Sequence, residues 1–199
     1  AALARPVVPA SLQQFIALQI EQLAPDEQTL LEAAAVAGEY VQPGLVAAAL
    51  ELAYDDAEAR CDALARDTRL LQHAGFIDWP DGTVASRYAF RHSLYREVLY
   101  ARLPAGRLAR MHRMIGQRLE RAYGARAHDI AGELAVHFGR GHAHDTAAHY
   151  FLLAGRNALG RAAYADAEAQ LRAGLEQVDE SSGTAVDRAG PGRCRRWRT

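Results

Sequence analysis

Apolar side chains recur at intervals of three and four residues along most of this chain, which is the period of an amphipathic α-helix. The pattern predicts helices over residues 12–23, 25–37, 42–52, 55–67, 92–103, 107–123, 129–138, 145–159 and 164–178. The predicted fold class is therefore mainly α.

Capping residues set the predicted ends of the first helices. Ser11 is a favourable N-cap for the first helix, and Pro25 suits the first position of the second. Gly38 suits the residue that follows a helix end. The positions predicted to face the core are Leu12, Phe15, Ile16, Ile20 and Leu23 in the first helix, and Ala59, Ala63, Leu64 and Leu70 around the fourth.

Residues 75–90 break the helical pattern. The sequence GFIDW, then PDGT, then VASRYAFRH indicates two strands joined by a turn at Asp81 and Gly82. Aspartate followed by glycine between apolar runs is typical of a β-hairpin, and the aromatic residues of both runs favour strands. Helices followed by one such hairpin have the order of a winged-helix domain.

Paired helices follow from residue 127 onward. In the last of them Tyr164, Ala167, Leu171 and Leu175 recur in steps of three and four, and the small residues Ala167 and Gly174 stand where a neighbouring helix would touch. This is typical of the second helix of a tetratricopeptide-like unit. The predicted domains are a winged helix with a preceding helix over 1–103, a helical linker with the first repeat over 104–180, and an irregular tail over 181–199.

Composition places the chain among globular proteins. It has 199 residues, half of them apolar and 24% charged, and no run approaches the roughly 20 apolar residues that a membrane helix needs. Two cysteines, Cys61 and Cys194, cannot build a disulfide scaffold and have no metal-ligand spacing. These features predict a reduced, cytoplasmic protein that does not enter a membrane.

The formal net charge is −1, and all 23 basic residues are arginine. Five of those arginines stand after Glu180, in SSGTAVDRAGPGRCRRWRT. This tail is either a phosphate-binding segment or a frameshifted or truncated end, and its lack of helical period favours the second alternative. Residues 55–67, the helix before the hairpin, carry five acids against two arginines. Because such a surface repels phosphates, direct DNA binding by the winged helix is not expected.

Motifs of catalysis are not found. The chain has no G-x-x-x-x-G-K-[ST] loop, no G-x-G-x-x-G turn and no G-x-S-x-G elbow, so it is not predicted to be an enzyme by itself. The acidic surroundings of Cys61 are expected to raise its pKa. His137, His142, His144 and His149 crowd around one loop, but without the spacing of a metal site.

The segment YAFRHSLYREVLYARLPAGRLARMHRMIGQRLERAYG carries a family resemblance, as does the earlier PASLQQFIALQIEQLAPDEQTLLEAAAVAGEYVQPGLVAAAL. Both resemble the region that follows the ATPase core in bacterial signal-transduction ATPases of the STAND class. Those large ATPases are fused to transcriptional regulators or to adenylate/guanylate cyclase domains. The likeness covers about residues 7–178 and excludes the catalytic core.

The resemblance implies a regulatory role. In that class an upstream nucleotide-binding domain of the same chain holds ADP, or ATP with Mg²⁺, and the winged helix packs on it as a lid. The helical repeats then bind a ligand or a protein partner. This chain would hold no cofactor of its own.

The stretch over residues 90–94 stands where related NB-ARC proteins have a nucleotide-sensing motif. There a Met-His-Asp motif follows the wing, and its histidine contacts the β-phosphate of ADP. Arg91 and His92 stand at the equivalent place, while Ser93 replaces the aspartate. His92, expected in the first turn of a helix, would donate to phosphate, and Arg91 would add a bidentate contact. The alternative is that His92 only caps the helix.

Two other functions stay open at this point. The chain could be a freestanding tetratricopeptide-like interaction module that binds a partner through residues 129–178, with Tyr150 or Phe151 in the interface. It could also be a winged-helix DNA-binding regulator, for which only the arginine-rich tail argues.

Overall fold

A computed structural model describes residues 10–68 and 70–189 of the chain, which divides into two compact units on either side of the bond between Gly124 and Ala125. The described part is mainly helical, as predicted. The first unit contains α1 (Ala10–Glu21), α2 (Pro25–Ala37), β1 (Tyr40–Val41), α3 (Pro43–Leu50), α4 (Tyr54–Asp67), β2 (Leu71–Asp78), β3 (Val84–Phe90), α5 (Ser93–Arg102) and α6 (Ala105–Tyr123).

The winged-helix order is present in the first unit, where α2, β1, α3, α4, β2 and β3 follow one another. The three strands form one antiparallel sheet in the order β1-β3-β2. The sequence pattern predicted the hairpin but missed β1, because two residues are too short to show an alternation. It also placed the start of β2 at Gly75, four residues after the observed start at Leu71.

Helix α1 differs from its prediction in two ways. It begins at Ala10, so Ser11 lies inside the helix and is not its N-cap. Only Ile16 and Ile20 of the predicted inner positions are buried, at 4% and 1% exposure, whereas Leu12 and Phe15 are exposed. The helix therefore buries fewer of its apolar side chains against the first unit than the sequence pattern predicted.

Helix α2 follows its prediction closely. Pro25 is its first residue, and the Glu27 carboxylate accepts a hydrogen bond from the backbone N–H of Ala24 at 2.9 Å. This contact satisfies a donor that the helix itself leaves free. Gly38 follows the helix with a φ of +129°, which a residue with a Cβ rarely adopts.

Helix α4 confirms its predicted inner positions only in part. Leu64 is buried, and so is Leu70 just after the helix, whereas Ala59 is exposed. Ala57 and Cys61, which were not predicted, are buried as well. The helix begins at Tyr54 with Ala53 as N-cap, so Asp55 lies in the first turn and does not cap it. A polar residue such as Cys61 does not register as an inner position in a pattern of aliphatic residues, although cysteine is often buried.

The boundary between the units lies after α6, so the predicted boundary after Leu103 is too early. Helix α6 packs against α2 and α3 of the first unit. Its residues Met111, Ile115 and Leu119 are each at most 3% exposed. Pro104 separates α5 from α6 and suggested a domain end, but it only begins a new helix of the same core.

A 3-10 helix (Gly124–Ile130) starts at the last residue of the first unit, and the second unit continues as α7 (Ala131–Arg140), α8 (His144–Gly160) and α9 (Tyr164–Ala189). Helix α8 packs on both α7 and α9. Helix α9 continues through residue 189, so the prediction of an irregular tail is wrong for residues 181–189. The remainder of that tail lies outside the described residues.

The two turns between these helices repeat one geometry. His142 and Ala162 occupy the same place in each turn and have φ values of +53° and +57°. The next residue then donates its N–H five residues back, from Ala143 to Phe138 and from Ala163 to Ala158, both at 2.9 Å. A repeated turn of this kind supports the prediction of tetratricopeptide-like helical hairpins.

Small residues set the contact between α8 and α9. A Cβ built on Gly155 would lie 2.8 Å from Cγ of Leu171, and one on Gly174 would lie 3.1 Å from Cβ of Phe151. Ala167 is 2% exposed. The predicted role of Ala167 and Gly174 at a helix contact is confirmed.

Within the described ranges no helix is both long enough and apolar enough to cross a membrane.

Candidate functional site

Arg91 and His92 lie at the junction of β3 and α5, where the sequence placed them. His92 was expected in the first turn of α5, but it is the N-cap residue that precedes the helix. Its side chain makes no capping hydrogen bond. The residue is exposed, and its ring centroid lies 6.1 Å from that of Tyr95. The alternative, in which the His92 side chain only caps the helix, therefore lacks the hydrogen bond on which it depends.

Arg91 is tied to the neighbouring strand. Its backbone N–H donates to the carbonyl oxygen of Leu70 at 2.9 Å, and its Nε donates to the carbonyl oxygen of Leu71 at 3.3 Å. A guanidinium group has five N–H donors, so the two terminal nitrogens keep donors for a further acceptor. The structure thus brings the two predicted residues together at one exposed corner, with Arg91 fixed by its Nε.

The base of this corner is held by contacts with α1. Tyr95 donates its hydroxyl to the side-chain oxygen of Gln19 at 3.3 Å. At the other end of α5, Arg102 lies 3.5 Å from the carboxylate of Glu21. The N-terminus of α5 is therefore positioned by α1 as well as by the sheet.

The exposed side of α4 is acidic. Asp55, Asp56, Asp62 and Asp67 are exposed, and two acidic side chains of this helix also hold the hairpin. Glu58 accepts a hydrogen bond from the Ser86 hydroxyl at 2.8 Å, and Asp62 accepts one from the buried Tyr88 hydroxyl. Burial and the Asp62 carboxylate raise the pKa of Tyr88, so its hydroxyl stays a donor.

The tip of the wing is fastened to α6 by Arg118. Its guanidinium lies 4.7 Å from the ring centroid of Trp79 and 3.3 Å from the carboxylate of Asp81. Hydrogen bonds from Thr83, with Arg118 as a smaller contributor, lower the pKa of Asp81. Local periodicity did not reveal this contact, because it joins residues that are far apart in the chain.

We expect that Arg118→Met loosens the wing tip. The substitution keeps the apolar stem of the side chain but removes the cation–π contact and the ion pair, which together contribute about 1 kcal/mol at a partly exposed site. Amide hydrogen exchange of residues 79–83 should become roughly fivefold faster. Arg110→Met is the matched control, because it removes only the exposed ion pair with Glu51. Unchanged exchange at the wing tip would show that Arg118 does not hold it.

Cys61 is buried inside α4, next to Asp62. Burial, and to a smaller extent the neighbouring acids Asp62 and Glu58, raises its pKa to about 12. The raised pKa predicted from the sequence is confirmed, although burial and not the acids is its first cause. A thiol in this state is a weak nucleophile at neutral pH.

Two of the four clustered histidines, His137 and His144, belong to the packing of the second unit, while His142 and His149 are exposed. His137 is buried, and Nδ1 of His144 lies 3.0 Å from the side-chain oxygen of Gln177 and 3.1 Å from the carboxylate of Glu180. His144 thereby links α8 to α9. Across the described part of the chain, no group of three or more His, Cys, Asp or Glu residues is arranged to hold a metal ion.

The predicted interface residues Tyr150 and Phe151 belong to the helix contacts of the second unit. Tyr150 is buried and stacks on Phe138 with ring centroids 5.7 Å apart. The most exposed large apolar side chains of this unit lie instead on α9, where Tyr164 is 71% and Leu175 67% exposed, with Val178 at 49%. Since steps of three and eleven residues return to one side of a helix, these three side chains form one strip, here named the α9 strip.

No protein-family model, no curated protein and no solved structure matches this chain.

Proposed function

We propose that this chain is a non-catalytic regulatory segment of a cytoplasmic bacterial ATPase of the STAND class. The winged helix would act as a lid that reports the nucleotide state, and the helical repeats would bind a ligand or partner. The observation that carries the proposal is the combination of a winged-helix order with an acidic α4 and a wing fastened to α6.

The acidic α4 supports a protein-packing role over DNA recognition. In a DNA-reading winged helix the helix before the hairpin approaches phosphates, and the attraction comes from lysine and arginine. Here that helix exposes carboxylates. Its fastened wing also has Trp79 5% exposed beneath Arg118. A wing in this state is less free to reach a groove.

The nucleotide would contact this segment at His92. An exposed imidazole beside the N-terminus of α5 can donate to a phosphate oxygen, and the helix dipole favours the negative charge. The remaining donors of Arg91 would add a second contact. The P-loop, Mg²⁺ and the rest of the nucleotide would belong to the upstream domain.

The test uses the protein that carries this segment together with the upstream domain. We expect its coding sequence to contain an in-frame G-x-x-x-x-G-K-[ST] loop before residue 1. In that protein, His92→Ala should speed ADP release about tenfold or more, because a hydrogen bond to a charged group contributes roughly 1.5–3 kcal/mol. Release is measured by stopped-flow displacement of a fluorescent ADP analogue.

His128→Ala provides the control for the ADP experiment, because His128 is also exposed but lies in the second unit. It should leave ADP release unchanged. Equal release rates for wild type and His92→Ala would contradict the sensing role. An open reading frame without a P-loop would contradict the ATPase assignment itself.

A second candidate function is a freestanding protein-interaction module, and the α9 strip favours it. Exposed leucine and valine side chains on one helix face commonly mark a binding surface. Under this proposal, Leu175→Asp with Val178→Asp should abolish retention of a partner that is cross-linked to the wild-type chain, with circular dichroism unchanged. Leu152→Asp on α8, at a residue 42% exposed, is the control. Retention by the double variant would exclude the strip as the interface.

A further inference from the structure

We propose that the exposed face of the β2–β3 hairpin beside α4 is a docking site for a cationic polypeptide segment with a large apolar anchor. The site is here named the wing–α4 surface and is defined by Phe76, Val84, Asp55, Asp62 and Asp78. It is separate from the Arg91–His92 corner, and its occupant does not depend on a nucleotide.

The strand register places the apolar residues on the face that packs on α4. Phe76 pairs with Ser86 and Asp78 pairs with Val84, while Ser86 itself is bonded to Glu58 of α4. Directly paired residues of antiparallel strands project to the same side of the sheet. The face of the hairpin that α4 covers near Tyr88 therefore continues to Phe76 and Val84.

A β-bulge makes this arrangement possible. His73 pairs with Tyr88 and Phe76 with Ser86, so β2 uses one residue more than β3 over this span. Gly75, with a φ of +95°, lies in the bulge. Without the extra residue, Phe76 would turn to the other face of the sheet, because side chains alternate along a strand.

The apolar part of the surface is open in the described chain. Phe76 is 67% and Val84 65% exposed. The ring of His73 lies 5.2 Å from that of Phe76 and extends the same patch. Phe76 and Val84 occupy diagonal positions on the same face of the strand pair, so they provide an anchor site for an apolar side chain of a partner.

Charge complementarity identifies the occupant. Asp55 and Asp62 lie on the side of α4 that carries Glu58, and Asp78 stands across the strand pair from Val84. Among the described arginines none forms an ion pair with these carboxylates. A partner with arginine or lysine next to its apolar anchor would satisfy them, whereas a nucleic acid would be repelled.

The test measures binding of a defined peptide to the full chain. The probe is a fluorescein-labelled peptide with one tryptophan between two pairs of arginines. Its binding is measured by fluorescence anisotropy. We expect saturable binding that Phe76→Ser with Val84→Ser weakens about tenfold, because the anchor contact is lost. Asp55→Asn with Asp78→Asn should weaken binding by a similar factor and reduce its dependence on salt.

Matched controls separate this surface from general charge attraction. Phe15→Ser, at an aromatic residue of α1 that is 57% exposed, should leave binding unchanged. A peptide with glutamate in place of arginine should not bind. Absence of peptide binding, or equal affinity for wild type and Phe76→Ser with Val84→Ser, would overturn the proposal. So would a DNA duplex that binds wild type and loses its affinity in the same double variant.

Discussion

A fragment that ends at Leu103 is expected to lack a cooperative fold, whereas a fragment that ends at Gly124 is expected to unfold in one cooperative transition. The two fragments differ by α6 (Ala105–Tyr123), whose buried residues pack on α2 and α3. Both fragments are unfolded with heat and with urea, and the loss of helix is measured by circular dichroism.

The expected size of this effect follows from the residues that α6 buries. Met111, Ile115 and Leu119 are at most 3% exposed, and burying each side chain contributes roughly 1.5–3 kcal/mol. The sum, roughly 5–9 kcal/mol, is as large as the total stability of many small domains. Loss of α6 also removes Arg118 and Tyr123, which pack around Trp79 of the wing.

The longer fragment is the control for this experiment, because it contains every element of the first unit. A cooperative transition in the shorter fragment, with the same midpoint as in the longer one, would show that α6 is dispensable. The unit would then end where the sequence pattern placed its boundary.

The domain boundary predicted after Leu103 was wrong, although the helices on either side of it were predicted correctly. Periodicity identified α5 and α6 correctly as helices, and Pro104 correctly as a break between them. Whether a helix after a proline belongs to the preceding core depends on its packing partner, and α3 lies far from α6 in the chain. No local pattern carries that information.

The same limit applies to the candidate sites. The position of His92 and Arg91 at a strand–helix junction could be predicted, because hairpin and helix signals meet there. The fastening of the wing by Arg118 could not, since it joins a turn to a later helix. The inner side of α9 was predicted only in part: Ala167 is buried, but Tyr164 and Leu175 are exposed. Apolar periodicity identifies the apolar face of a helix. It does not show whether another part of this chain packs on that face.

The second unit allows an equally sharp test of its closest helix contact. Gly155→Val is expected to lower the stability of the second unit by about 3 kcal/mol, because overpacking a well-filled contact costs in this range. A Cβ added at this position would lie 2.8 Å from both Cγ and Cδ2 of Leu171, and valine adds two further carbons. For a unit of this size the loss corresponds to a melting temperature lower by roughly 10 °C or more.

Gly160→Val provides the matched control, because Gly160 also lies in α8 and a Cβ there meets nothing within 4 Å. Valine is a better helix former than glycine by a few tenths of a kcal/mol, so this variant should be unchanged or slightly more stable. Hydrogen exchange of the α8 and α9 amides reports the second unit directly. Equal protection in the two variants would mean that Leu171 can move aside and that α8 and α9 do not require a glycine at their contact. Loss of protection in Gly155→Val alone would show that the helical hairpin, and with it the geometry of the α9 strip, depends on this close approach.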